Sequence, residues 1–117
     1  MQVPLQVTFH GTDPSPAVED RVRERAKKLE RLCGNIIGCR VVIEAPHRHH
    51  QHGQIFHVRI DITIPQHEIV VSREPAQNAA HADVYVAIRD AFDAAERRLE
   101  DYVRLQRGEV KNHRPAV

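Results

Sequence analysis

The sequence predicts an α+β domain in which a four-stranded mixed sheet carries two helices on one face. Three observations lead to this prediction. Apolar and polar residues alternate from Phe56 to Ile64, which is typical of a strand with one buried face. Residues 84–103 instead repeat apolar side chains every three or four positions, the spacing of a one-sided helix. The segments also follow the order β-α-β-β-β-α, so that the apolar sheet face and the helix stripes can cover each other.

The first half of the chain is predicted to contain a strand, a helix and a second strand. Apolar residues alternate over Val3–Phe9. Ser15 is suited to cap a helix whose first residue is Pro16, where the missing N–H costs nothing. This helix is expected to end near Leu32, and the second strand to run from about Ile36 to Ala45. A crossover through a helix predicts that the two strands are parallel.

The second half is predicted to be an antiparallel meander followed by the second helix. The third strand covers about Gln54–Ile64 and the fourth Glu68–Arg73, with a tight turn between them. A linker over Glu74–Ala80 then leads to a second helix that ends near Arg107, where Gly108 suits the C-terminal cap. We expect a single domain over residues 1–108 and a flexible polar tail over 109–117.

Composition narrows the class of protein. The 117 residues are 41% hydrophobic, enough for one core, and no apolar run approaches the roughly 18 residues of a membrane span. The N-terminus lacks an export signal, so a cytoplasmic protein is expected. Cys33 and Cys39 are expected to be reduced, buried thiols. With 17 Lys and Arg against 16 Asp and Glu, the net charge of +1 argues against indiscriminate nucleic-acid binding but leaves room for a local basic patch.

Such a patch is predicted on the first helix, where six cations lie between Arg21 and Arg31. One interpretation is an ordinary solvated face with intrahelical pairs such as Glu24–Lys28. The other is that the basic flanks of the two helices line a groove for a phosphate backbone, since arginine holds phosphate bidentately. The second helix and the tail add cations to such a groove, among them Arg89, Arg97, Arg98, Arg104, Arg107 and Lys111.

The loop over residues 47–52 has the most unusual composition, with four histidines in six positions. Imidazoles at His49, His50 and His52 are candidate metal ligands, and the alternative is an exposed loop without a metal. No carboxylate or thiol lies nearby in sequence to complete a ligand shell. The metal hypothesis implies a second function class, a metal-responsive or protein-interaction module.

Catalysis has little support in the sequence. The chain lacks a nucleophile elbow, a glycine-rich phosphate loop and zincin spacing. Asp61 and Glu68 are expected to face each other across the hairpin, where a polar cross-strand pair is the ordinary explanation. We therefore expect a protein that is not an enzyme and that uses no cofactor or small-molecule substrate.

Three motifs resemble those of the ribosome hibernation-promoting factor family, also called sigma-54 modulation proteins. They are RAKKLER at residues 25–31, DVYVAI at 83–88 and ERRL at 96–99. Their order and spacing span nearly the whole chain, and the likeness is to the short form, without the second, dimerising domain. The resemblance implies a fold akin to a double-stranded-RNA-binding domain with an extra leading strand.

The resemblance also implies a function. Members of the family bind the small ribosomal subunit in the channel of mRNA and tRNA, and so block translation and store ribosomes under stress. Motif matching makes Lys28, Arg31 and Arg97 the expected rRNA contacts, and the helix positions add further candidates. The complete predicted set is Lys28, Arg31, Arg97, Arg21, Arg25, Lys27, Arg98, Arg104 and Lys111. Oligomeric state stays open, with a monomer expected on the ribosome.

Overall fold

Four strands and two helices follow one another in the predicted β-α-β-β-β-α order. The computed structural model describes residues 4–45, 56–72 and 83–108. The elements are β1 (Leu5–His10), α1 (Pro16–Leu32), β2 (Gly38–Glu44), β3 (His57–Ile64), β4 (His67–Ser72) and α2 (Val84–Gln106). The predicted α+β class and the order of elements are thereby confirmed.

The strands form one mixed sheet in the order β1-β2-β3-β4. As predicted, β1 pairs with β2 in parallel, and β2, β3 and β4 pair antiparallel. The register aligns side chains in rows across the sheet, one of which contains Val7, Val41, Ile60 and Val71. Because alternate residues point to opposite faces, such rows make one face of the sheet apolar.

Both helices cover this apolar face and form one continuous core with it. Val22 and Leu29 of α1 are buried there, and Ile88, Phe92 and Leu99 of α2 are fully buried. Aliphatic side chains make up most of the core, as the scarcity of aromatic residues predicts. The core fixes both helices against the sheet and leaves their outer faces in solvent.

The predicted caps at Ser15 and Gly108 are present, and Asp83 adds a cap that was not predicted. Ser15 accepts a hydrogen bond of 3.3 Å from the backbone N–H of Val18, and Pro16 occupies the first turn of α1. Asp83 likewise accepts a bond of 2.9 Å from the N–H of Tyr85 at the start of α2. Gly108 follows α2 at a φ of +75°, a left-handed conformation that glycine adopts without strain.

The opposite face of the sheet carries a small charged cluster. Asp61 is only 5% exposed, and its two oxygens accept bonds of 2.9 Å from Arg59 Nε and 3.1 Å from Arg40 Nη2. Burial would raise the pKa of Asp61, but the hydrogen bonds and charges of the two arginines outweigh it, so the pKa is lowered. This carboxylate is therefore ionised and satisfied within the sheet face.

The expectation that Asp61 faces Glu68 is wrong. The hairpin turns on two residues, Pro65 and Gln66, so that Ile64 pairs with His67 and Glu68 lies opposite Thr63. Asp61 instead pairs with Val70. The predicted three-residue turn would have placed Glu68 opposite Ile64, so neither turn length pairs Asp61 with Glu68.

Strand bounds also differ slightly from those predicted. β2 is two residues shorter at its start and one shorter at its end, although Ile36 and Ala45 are still buried. β1 begins at Leu5 and includes His10. The predicted parts of strands one, three and four at Val3, residues 54–55 and Arg73 lie outside the described residues, as do the linker over 74–80 and the tail over 109–117.

The two thiols are free and buried, as expected. Burial is the main cause that raises the pKa of the Cys39 thiol, to about 12, so it stays protonated at neutral pH. Neither α1 nor α2 is long and apolar enough to cross a membrane.

Gly11 supports a test of the packing between β1 and the end of β2. Its φ is +75°, and an added Cβ would lie 2.4 Å from the backbone carbonyl oxygen of Ala45. Gly11→Ala is expected to lower the free energy of unfolding by at least about 2 kcal/mol, because both backbone strain and this clash oppose it. Gly34→Ala is the matched control, since a Cβ there meets nothing within 4 Å. Urea denaturation that gives equal stability for both variants would contradict the prediction that a Cβ at Gly11 clashes with Ala45.

Asp61 supports a test of pH dependence. A carboxyl group whose pKa is lowered by folding stabilises the protein above its unfolded pKa, near 4, and this contribution is lost as pH falls through the folded value. Asp61→Asn should cost about 1–3 kcal/mol at pH 7, and the difference from the parent protein should shrink below about pH 4. Urea denaturation across pH measures this, and a constant difference down to acid pH would refute it.

Candidate nucleic-acid interface

The two helices lie side by side and in parallel, and their contact line defines the site. Arg25 contacts Asp93, and Lys28 contacts Glu96. In each pair the two residues are 68 positions apart in the chain. Residues of α1 and α2 with this separation therefore lie at the same height along the helix axes. We call this exposed contact line between α1 and α2 the interhelical seam.

Arg25 joins the two helices at the base of the interhelical seam. Its Nη2 donates bonds of 2.9 Å to Asp93 Oδ1 and 2.9 Å to Glu96 Oε2, and its guanidinium lies 5.7 Å from the centroid of Phe92. Only 17% of the side chain is exposed. Burial would lower the pKa of Arg25, but the bonds and charges of the two carboxylates outweigh it and raise the pKa. Arg25 is therefore a permanently charged strut between the helices.

Of the three residues taken from the family motifs, Lys28 contacts α2 at the interhelical seam, and Arg31 and Arg97 are exposed on the two helices near the same level. Lys28 is about half exposed, and its Nζ lies 3.8 Å from Glu96 Oε2, a weak pair. Arg31 and Arg97 are exposed and have no hydrogen bond or ion pair within the described parts of the chain. The 68-residue offset places Arg97 opposite residue 29, so that Arg31 and Arg97 are about 3 Å apart along the helix axes.

The other end of the interhelical seam contains an aromatic residue. Arg21 places its guanidinium 4.9 Å from the centroid of the Tyr85 ring and lies 3.6 Å from Glu24. Arg89 follows Tyr85 on α2, and its Nε and Nη2 donate to Asp90 at 3.2 and 3.0 Å. A cavity of about 270 Å³ lies here and is lined by Arg21, Arg25, Tyr85 and Arg89.

Three of the predicted contact residues lie away from the interhelical seam. Lys27 is exposed on the outer face of α1 and is unpaired within residues 4–45, 56–72 and 83–108. Arg98 lies on the far flank of α2 and donates a bond of 3.1 Å to the carbonyl of Val70 in the edge strand β4. Arg104 pairs with Asp101 one turn earlier on α2. Lys111 lies outside the described residues.

Charge along the interhelical seam is partly balanced. The cations Arg21, Arg25, Lys28, Arg31, Arg89 and Arg97 are accompanied by the contacting carboxylates Glu24, Asp90, Asp93 and Glu96. The excess is two positive charges. The predicted intrahelical pair between Glu24 and Lys28 does not form, because Glu24 pairs with Arg21 and Lys28 with α2. The positive potential is therefore concentrated at the exposed Arg31–Arg97 end.

Sequence reasoning missed the roles of Asp93, Glu96 and Tyr85. Both carboxylates looked like outward acids that dilute the charge of the second helix. Their spacing of three residues places them on one flank, where Glu96 is only 15% exposed in contact with Arg25. The sequence does show an acidic flank on the second helix and a basic flank on the first. Pairing these two flanks required the relative register of the helices, which periodicity does not give.

The histidine-rich loop with His49, His50 and His52 lies outside the described residues. Within the part of the chain that the structure describes, no three His, Cys, Asp or Glu side chains are grouped so as to hold a metal ion. The metal hypothesis therefore stays a prediction from composition.

Replacing Arg25 tests its role as a strut. Arg25→Ala should lower the free energy of unfolding by about 2–4 kcal/mol, because it leaves the largely buried Glu96 without its main partner. Arg31→Ala, on the same helix and exposed, should change it by less than about 0.5 kcal/mol. Chemical denaturation measures both, and a loss at Arg25 no larger than that at Arg31 would show that the ion pair contributes little.

Comparison with solved structures gives the same fold. The N-terminal domain of Protein Y from Thermus thermophilus aligns with a TM-score of 0.66 and 19% identity over 86% of this chain and 99% of that domain. A ribosomal subunit interface protein from Coxiella burnetii aligns with a TM-score of 0.64 and 19% identity over 86% of this chain and 97% of that protein. At this identity the likeness establishes the fold alone.

Sequence comparison establishes the family. Curated protein sequences provide no significant match. Residues 5–107, which contain every described strand and helix, match the family described as Sigma 54 modulation protein / S30EA ribosomal protein. This match confirms the family resemblance of the three sequence motifs: the chain belongs to the Sigma 54 modulation protein / S30EA ribosomal protein family.

Proposed function

We propose that this protein is a noncatalytic translation inhibitor of the hibernation type, which binds rRNA of the small ribosomal subunit through the interhelical seam. The observation that carries the proposal is the convergence of Lys28, Arg31 and Arg97. These residues come from two helices and from two separate motifs, yet they lie at nearly one level of the seam. Two of them have no internal partner among the described residues, so their charges are available to phosphates.

Family membership and fold support the choice of partner. The family is one of ribosomal proteins by its description, and a structure of the same fold is that of a ribosomal subunit interface protein. A protein that occupies the mRNA and tRNA channel needs no catalytic group. It needs a rigid surface with exposed cations, and the buried core beneath α1 and α2 supplies that rigidity.

We further propose different roles for the individual cations. Arg31 and Arg97 are placed to contact phosphates directly, and Lys28 joins them once phosphate replaces its weak contact with Glu96. Arg25 holds the helices at the correct separation, and we assign it a positioning role. Arg21 belongs to the aromatic end of the seam, whereas Arg98 lies on the β4 side and contributes little to this surface.

The alternative function, a metal-responsive or protein-interaction module, depends on His49, His50 and His52. No observation on the described residues favours it over ribosome binding. Calorimetric titration with zinc would test it separately, since submicromolar binding that is lost when these histidines become alanine would support it, and flat heats would remove it.

Charge reversal at the seam tests the proposed function. Lys28→Glu combined with Arg31→Glu should abolish cosedimentation with small ribosomal subunits, because each phosphate contact becomes repulsive. Thermal stability should change little, since both side chains are exposed. Binding of the parent protein should weaken steeply as salt rises, since phosphate contacts release counterions.

Arg23 provides the matched control. It lies on the flank of α1 that points away from α2, and among the described residues its ion pairs are with Glu19 and Asp20. Arg23→Glu should therefore retain binding within a few-fold, while Arg31→Glu alone weakens it about tenfold or more. Equal pelleting of the double variant and the parent protein would overturn the proposal, as would equal losses at Arg23 and Arg31.

A further inference from the structure

The cavity at the Tyr85 end of the interhelical seam has the chemistry of a nucleobase site. It measures about 270 Å³ and is lined by Arg21, Arg25, Tyr85, Val86, Ile88 and Arg89. Its walls combine one aromatic ring, two exposed guanidinium groups and an apolar floor. Unstacked bases bind proteins by stacking on aromatic rings and on guanidinium planes, whereas bases within a duplex are not available for this.

Arg21 and Tyr85 already form a stacked pair that could accept a base. The guanidinium lies 4.9 Å from the ring centroid, and its contact with Glu24 is long, at 3.6 Å, and solvent-exposed. Exposed pairs of this kind contribute little to stability. Arg21 is therefore able to change rotamer and either sandwich a base or bind the adjoining phosphate.

Within the described residues, the Tyr85 side chain is held by its ring and not by its hydroxyl. The ring packs partly against the core, and no hydrogen bond to its Oη forms there. The described buried polar atoms without a partner do not include this oxygen, so solvent reaches it. Tyr102, the other tyrosine, stacks on His67, with ring centroids 6.1 Å apart, so its ring already has an aromatic partner.

The cavity is continuous with the proposed phosphate contacts. Arg21 and Arg31 lie ten positions apart on one helix, which is about 15 Å. A single strand that passes along the seam can therefore place its backbone on Arg31, Lys28 and Arg97 and one base in the cavity. This continuity distinguishes the cavity from two grooves of the described region that lie on the open face of the sheet around Asp61.

We infer that this cavity binds one unstacked nucleobase of single-stranded RNA, with Tyr85 as the stacking platform and Arg21 as its cover. The inference rests on the proposed function, since it specifies the part of the RNA that the seam recognises. It sets a single strand apart from a duplex as the ligand. It also assigns Tyr85 a binding role in addition to its packing against the core.

Tyrosine fluorescence tests the site directly, because the chain has two tyrosines and no tryptophan. Tyr102→Phe leaves Tyr85 as the only tyrosine. Titration of this variant with a single-stranded decamer of uridines should quench its emission in a saturable way, and an RNA duplex of the same length should not. Absence of quenching, or equal or stronger quenching by the duplex, would overturn the inference.

Affinity measurements separate stacking from packing. In anisotropy titrations with the labelled decamer, Tyr85→Leu should weaken binding about tenfold and Arg21→Gln several-fold, whereas Tyr85→Phe should bind within about twofold. Arg21→Gln, at an exposed position, keeps the test valid if Tyr85→Leu unfolds, which thermal melting would show. Unchanged affinity in folded Tyr85→Leu, or in Arg21→Gln, contradicts the inference.

The result also separates this inference from the proposed function. If the Lys28→Glu and Arg31→Glu double variant loses ribosome pelleting but Tyr85→Leu binds RNA normally, only the nucleobase site is wrong. If the double variant still pellets with the small subunit, the proposed function itself fails.

Discussion

The two hydrogen bonds from Arg25 to Asp93 and Glu96 determine the arrangement of the surface that we propose binds RNA. They lie where α1 and α2 contact each other through charge, and both are 2.9 Å long. The core beneath fixes how far each helix lies from the sheet, but apolar contacts tolerate sliding. A two-carboxylate contact to one guanidinium tolerates much less, because the geometry of charged hydrogen bonds is narrow. The level of Arg97 relative to Arg31 follows from it.

The sheet supplies the rigid base for this contact. Four strands in register present one continuous apolar face, and α2 buries Ile88, Phe92 and Leu99 completely against it. On the open face of the sheet, the buried carboxylate of Asp61 is neutralised by ion pairs with Arg40 and Arg59. The two charged clusters thus lie on opposite sides of the sheet. One stabilises the fold and the other orders the surface that we propose binds RNA.

Periodicity in the sequence was enough to predict the elements, their order and the core, because alternation and helical spacing report directly on which side chains are buried. It also placed Arg21, Arg25 and Lys28 on one flank of α1. It did not distinguish Arg25 from its neighbours, because the role of Arg25 depends on which residue of α2 lies at the same level. That residue is Asp93, 68 positions later in the chain. The Asp61–Glu68 prediction failed because these two residues are opposite each other in no register that leaves a turn after Ile64. Register in a hairpin depends on turn length, and a two-residue turn moves Glu68 opposite Thr63.

The carboxylates within the interhelical seam explain how a nearly neutral chain could bind rRNA selectively. A cation that is deeply paired, such as Arg25, is not available to a phosphate, whereas the long and exposed contact of Lys28 is worth at most about 1 kcal/mol and is readily exchanged. Few of the six cations of α1 are therefore available to bind a phosphate, and these lie beside Arg97. Few available charges mean weak attraction to nucleic acid in general. Affinity must then come from a partner whose phosphates match this spacing and that offers an unstacked base to the cavity at Tyr85, such as a single-stranded segment of rRNA.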